Sequence, residues 1–208
     1  MDLQELDCVD LRVEGRFQAL LRPAVGTLFR AGVTANAVTV GAALVSLAVA
    51  AAVYAFAPAQ PLWYLALPLW MLLRMALNAV DGMLAREFGQ QSRLGAYLNE
   101  LGDVAADAAL CLSLLSLPGV DATALWTLAW MAALSEYAGV LGLMVGASRR
   151  YDGPMGKSDR AFVAGVTGLL LALGWLDGAL VSGMAWVAAA LCVPTVWRRV
   201  RNGLAQPG

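Results

Sequence analysis

From Asn36 to Ala57 the chain carries no charged side chain. A helix rises about 1.5 Å per residue, so about 20 apolar residues cross a hydrocarbon core ~30 Å thick. A segment of that length and greasiness demands either a very large core or a bilayer. The pattern repeats, giving six predicted spans at residues 36–57, 62–86, 93–117, 122–147, 160–175 and 179–198. The breaks between them read "APAQP", "FGQQSR", "PGVD", "SRRYDGPMGKSD" and "GWLDG", rich in Gly, Pro and polar residues as chain reversals should be. With 60% of its residues hydrophobic, the 208-residue chain exceeds the half-apolar balance of a soluble domain. The expected fold is an all-α integral membrane protein with six transmembrane helices.

Residues 11–30, "LRVEGRFQALLRPAVGTLFR", alternate apolar side chains with Arg12, Arg16, Arg22 and Arg30, which predicts an amphipathic helix lying at the interface. The expected division is therefore 1–35, an N-terminal segment with this interfacial helix, and 36–208, the six-helix membrane domain. The acidic start lacks an apolar core and does not read as a signal peptide. Thr34 or Asn36 is the expected cap of the first span. Cys8, Cys111 and Cys192 are too scattered for a metal site or a disulfide framework.

Basic residues fix orientation. They cluster before span one, in the second and fourth breaks and after the last span, whereas "APAQP", "PGVD" and "GWLDG" contain neither Arg nor Lys. Six spans then put both termini and every basic loop in the cytoplasm. Only Arg74 is left inside a span. It lies ~18 Å along span two from Arg86, a depth similar to that of Asp107 on span three and Glu136 on span four. A charge at that depth needs a partner, so Arg74 is expected to pair with Asp107, Glu136 or both.

The densest chemistry surrounds the second break. Asn78, Asp81, Gly82, Ala85 and Arg86 close span two on an arc of ~140°, and Gly95, Asn99, Asp103 and Asp107 open span three within ~120°. A short turn joins the two helices, so the two polar faces are expected to meet just below the cytoplasmic surface. Small and polar residues also serve simply to glue helices together. Two facing rows with three aspartates and an arginine at the mouth exceed that need. Asp and amide oxygens suit a hard cation such as Mg2+ or Mn2+. Arg86 offers a planar fork to phosphate oxygens, and Gly82 and Gly95 remove side chains where a ligand approaches the backbone. Histidine is absent, so any general base is a carboxylate, tyrosine, lysine or cysteine. Asp103 is the best placed and Asp107 the second candidate.

These residues resemble the signature of the CDP-alcohol phosphotransferase family, D-x2-D-G-x2-A-R-x8-G-x3-D-x3-D. The chain reads Asn78-x2-Asp81-Gly82-x2-Ala85-Arg86-x8-Gly95-x3-Asn99-x3-Asp103, matching six of the eight defined positions at the correct spacing; both mismatches are Asp→Asn. "GVTANAVT" is similar to the "GxTPNxxT" that often opens the family's first span, and "GPMGKSDR" to its basic cytoplasmic segment. The resemblance implies an enzyme of phospholipid biosynthesis that moves a phosphatidyl or substituted phosphate group from a CDP-linked lipid donor, CDP-diacylglycerol being expected, to an alcohol acceptor with release of CMP. It implies metal ligation by Asp81 and Asp103, helped by the amides of Asn78 and Asn99, and a role for Asp103 as metal ligand or base. Gly82, Ala85, Arg86 and Gly95 would line the nucleotide site. With two carboxylates missing, one Mg2+ or Mn2+ is expected rather than two.

Lys157, Arg160 and Arg149 are the expected pocket for an acceptor or lipid phosphate, beside the alternative of anchoring to anionic headgroups. Glu136 reads as an ion-pair partner or a substrate contact. Gly142 and Gly146 form a GxxxG that suits close helix packing or a dimer seam, and the resemblance implies a homodimer. The expected partners are donor, acceptor and membrane lipids, with no nucleic acid. A preponderance of Arg over the single Lys157, with much Ala and Gly, hints at a high-GC bacterium, and the expected location is the bacterial inner membrane. Two other readings stay open. Asn78 and Asn99 suit a catalytically inactive CDP-lipid-binding or scaffold member of the same family. A buried polar path would suit a small membrane transporter, though the polar residues cluster on one side only.

Overall fold

The computed structural model describes residues 18–206, and among them all regular structure is helical. Helix α1 covers residues 18–30. It is followed by α2 (Ala35–Phe56), α3 (Ala66–Glu87), α4 (Arg93–Leu112), α5 (Ala122–Leu141), α6 (Lys157–Ala172) and α7 (Gly178–Ala205). Short 3-10 turns at Pro61–Leu65, Ser113–Ser116 and Gly142–Val145 lead into α3 and extend α4 and α5. The part of the predicted interfacial helix before residue 18, with Arg12 and Arg16, lies outside the described residues, as does Cys8.

All six expected spans are helices. Four segments, Ala35–Phe56, Pro61–Glu87, Ala122–Val145 and Gly178–Ala205, are long and apolar enough to cross a membrane. The other two fall short for separate reasons. Helix α4 carries Glu100, Asp103 and Asp107. Helix α6 has 16 residues, or ~24 Å, less than a full hydrocarbon core.

Local chemistry sets the helix ends. Thr34 is the α2 cap, its Oγ1 accepting from the Ala37 amide at 3.2 Å. Asp121 caps α5 by accepting from the Thr123 amide at 2.8 Å, which holds its carboxyl below the usual value. Asp177 caps α7 through the Leu180 amide at 2.9 Å. These side chains accept from amides that have no partner inside the helix.

The chain divides into two compact units. The first takes residues up to Ala42 together with Leu73–Asn99. Its core joins Val25 of α1 to Val80, Met83 and Leu84 of α3, with Leu21 and Leu28 packed alongside. The amphipathic reading of α1 thus has a seam: Leu21, Val25 and Leu28 face the protein, while Arg22 points outward to Glu87 at 3.0 Å. The second unit takes Ala43–Leu72 and Glu100 to the C-terminus, and α5 packs extensively on α7 within it. There Gly142 and Gly146, read from the sequence as close helix packing or a dimer seam, sit in close intrachain contacts or turns. Gly142 is buried, and a Cβ on it would come within 2.9 Å of the Ser148 carbonyl. Gly146 takes φ +83° to end the 3-10 turn. Both glycines serve the chain's own reversal after α5, because that loop folds back onto the helix it has just left.

Candidate functional site

In the first unit the motif begins on the last turns of α3. Asp81 is 8% exposed, and its Oδ2 accepts from Thr39 Oγ1 of α2 at 2.8 Å. Asn78, one turn earlier, is half-buried, as is Ala85. Arg86 is exposed at the helix end, and its guanidinium folds back over Gly82. A Cβ on Gly82 would lie 3.0 Å from Arg86 Nη2, so the glycine makes room for that guanidinium. The turn to α4 passes through Gly89 at φ +66°, a left-handed conformation that suits glycine.

At the start of α4, Ser92 caps by accepting from the Gly95 amide at 2.9 Å. A Cβ on Gly95 would stand 2.6 Å from Asn36 Oδ1 and 3.0 Å from Ser92 Oγ. Gly95 therefore lets Asn36 of α2 approach α4. The stretch "GVTANAVT" now has a job at each marked residue. Gly32 takes φ +79°, Thr34 caps, Asn36 fills the space left by Gly95, and Thr39 donates to Asp81. Sequence reasoning offered Thr34 or Asn36 as the cap, of which Thr34 is the one that caps; it did not single out Gly32, and it missed Asn36 and Thr39 as neighbours of the motif. Asn99 is half-buried and closes this unit's share.

The second unit holds the other half. Asp103 accepts from Lys157 at the start of α6. Glu136, 4% exposed on α5, is the hub of a buried network. It receives Arg149 at 3.0 Å, Arg160 at 2.8 Å and Arg199 at 3.4 Å. Arg160 also reaches Asp107 at 3.1 Å, and Arg149 donates to Glu100 at 2.7 Å while stacking over the Tyr151 ring at 4.2 Å. Burial works against the charge on Arg149, but the hydrogen bond and charge of Glu100, with Tyr151 and Glu136, hold its pKa above the ordinary arginine value. Asp107 thus pairs with Arg160, and Glu136 with Arg160, Arg149 and Arg199, partners that sequence reasoning had not assigned to them. Arg74 is itself buried, at 4% exposure.

Arg199 was read only as one of the charges after the last span. It is 1% exposed, donates to the Ser135 carbonyl, and reaches the Asp152 carbonyl at 3.1 Å. A signal for it exists: Ala188, Cys192, Thr195, Arg199 and Gly203 recur at helical spacing and all are buried. Arg199 thus continues an inward stripe of small residues, whereas its neighbour Arg198 is exposed. The loop before α6 is fastened to the same stripe. The Met155 amide donates to Thr195 Oγ1 at 3.0 Å, and Asp152 accepts from Arg150 at 2.8 Å and Asn202 at 3.0 Å. Burial alone would raise the Asp152 carboxyl, but these two donors hold it below its usual value.

With this geometry in view, comparison with known proteins is informative. The family model described as CDP-alcohol phosphatidyltransferase matches residues 32–197. The inner membrane protein YnbA of Escherichia coli K12 is 41% identical over 196 residues, covering 93% of this chain and 95% of that protein. Two crystal structures of Mycobacterium tuberculosis phosphatidylinositol phosphate synthase (PgsA1) share the fold at 23% identity. The one with manganese and citrate superposes with a TM-score of 0.72 over 89% of this chain and 90% of that one. The one with CDP-DAG bound gives 0.70 over 89% and 94%.

Proposed function

The chain belongs to the CDP-alcohol phosphatidyltransferase family, and from that premise we propose that it moves a phosphatidyl group from a CDP-linked lipid to an alcohol, releasing CMP. CDP-diacylglycerol is the proposed donor, and the cytoplasmic face of a bacterial inner membrane the proposed place. The likeness to a synthase solved with CDP-DAG and to an inner membrane protein supports this reading. A single observation carries it: Asp81, Gly82, Ala85, Arg86, Gly95 and Asp103 keep the family's spacing inside the matched region.

The cation assigned to this chemistry is Mg2+ or Mn2+; the PgsA1 neighbour was solved with manganese. The residues fit such an ion. Their donors are all oxygens, which hard cations prefer, and two carboxylates balance one divalent charge. No group of three His, Cys, Asp or Glu side chains gathers among the described residues. By the family signature, Asp81 and Asp103 would hold one cation with help from the amides of Asn78 and Asn99. When bound, the cation would neutralise and orient the donor's pyrophosphate.

The chain's own groups do the rest. Arg86 presents two parallel N–H donors to phosphate oxygens, and Gly82 leaves space for them. Asp103 takes the proton from the acceptor hydroxyl. That oxygen then forms a bond to the phosphorus of the phosphatidyl group, and the bond from that phosphorus to CMP breaks. Lys157 must release Asp103 for this, so it poises the carboxylate before substrate arrives. A homodimer, common in the family, is part of the proposal.

The test is to incubate purified protein with radiolabelled CDP-diacylglycerol and a panel of alcohols. CMP release with a labelled phospholipid is the expected result. Asn78 and Asn99 favour one second reading, a CDP-lipid scaffold. Donor binding that never yields CMP would establish that reading in place of catalysis.

A further inference from the structure

The basic segment around α6 carries its own charge balance, and the inference drawn from it rests on the transfer reading above. Five cations gather there within the second unit, and each meets a carboxylate of that unit. Arg149 meets Glu100 and Glu136, Arg150 meets Asp152 and Lys157 meets Asp103. Arg160 meets Asp107 and Glu136, and Arg199 meets Glu136. In these pairs five carboxylates answer five cations, so the charges that meet there balance.

A phosphomonoester brings a charge of about −1.5 to −2 near neutral pH. To bind here it would have to displace Glu100 or Glu136 from a guanidinium and leave that carboxylate buried beside a second anion, which is strongly unfavourable. Release of Lys157 from Asp103 would free a single positive charge. What the cluster does leave over is neutral in its demands. Arg149 Nη1 and Arg160 Nε are buried N–H donors without a hydrogen-bond partner. A hydroxyl oxygen satisfies such donors and adds no charge.

We infer that the acceptor is a neutral polyhydroxy alcohol and not a phosphorylated one. Its spare hydroxyls meet Arg149 and Arg160, and Glu100 is the specificity residue that keeps phosphate out. Glu100 suits a test because it is only half-buried and meets one cation, whereas Glu136 holds three.

The experiment uses the full chain in nanodiscs with Mg2+. Calorimetry with glycerol phosphate should show no binding to wild type. Glu100→Gln should gain affinity by about tenfold or more, the worth of a newly available charge-assisted contact, and Arg149→Gln should show none. In the CMP-release assay, glycerol or inositol should outpace its phosphate ester by about tenfold, the cost of one misplaced buried charge at the least. A wild type that binds glycerol phosphate through Arg149, or that prefers the phosphate ester as acceptor, overturns the inference. So does a folded Glu100→Gln protein with no gain. If no alcohol releases CMP but Glu100→Gln still gains phosphate binding, the exclusion of phosphate stands and the transfer reading falls.

Discussion

The two halves of the signature are held in different ways. In the first unit Asp81 meets the hydroxyl of Thr39, and the surrounding fit depends on missing side chains: Gly82 beneath Arg86, Gly95 against Asn36. In the second unit Asp103 meets an ammonium, and the groups around it are locked by guanidinium–carboxylate pairs centred on Glu136. One half is arranged by steric allowance and the other by charge. Steric fit fails when volume is added, and a charge network fails when one sign is removed.

The largest effect should come from the charged half. Asp103→Asn removes the proposed proton acceptor, so CMP release should fall by about 10²–10⁴-fold, even at Mg2+ and donor concentrations where calorimetry still shows the donor bound. Unchanged turnover would move the base elsewhere and break the contrast. Glu136→Gln should come next. It leaves three buried guanidiniums short of one shared carboxylate, and should cost about 3–5 kcal/mol in thermal or denaturant unfolding. A loss below ~1 kcal/mol would show that Glu100 and Asp107 alone can hold the network.

The steric half should respond less and in a reparable way. Gly95→Ala places a methyl 2.6 Å from Asn36 Oδ1 and should cost about 1–3 kcal/mol. Adding Asn36→Gly should recover much of that loss, which a charge-based defect would not do. The double-mutant cycle reads the coupling directly.

The smallest effect concerns pH. Asp152 has a lowered carboxyl in the folded chain. Its contribution is therefore complete above the ordinary carboxylate value of about 3.9. It is lost as pH falls through the lowered folded value. Asp152→Asn should flatten the acid limb of the stability profile; an unchanged limb would assign that limb to other carboxylates.

Much of this molecule could be read before folding. Charge-free runs such as 36–57 commit a chain to a bilayer whatever its tertiary contacts, because backbone groups in hydrocarbon must satisfy one another within a helix. Thr34, Asp121 and Asp177 cap locally, and the signature spacing is a property of two helices and one short turn. Partners across the fold were not legible. Arg149 and Arg160 were read as part of an anion pocket, and a row of residues does not reveal which carboxylates face them. Arg199 was read only as one of the charges after the last span, and Gly142 and Gly146 as close helix packing or a seam for a second copy. Their roles depend on α7 packing against α5 and on the loop before α6 folding back over both. A helix period determines which side chains share a face, and so the sequence fixes faces. Only the packing of distant helices decides what each face meets, because Coulomb and contact energies act over a few ångströms in space and take no account of separation along the chain.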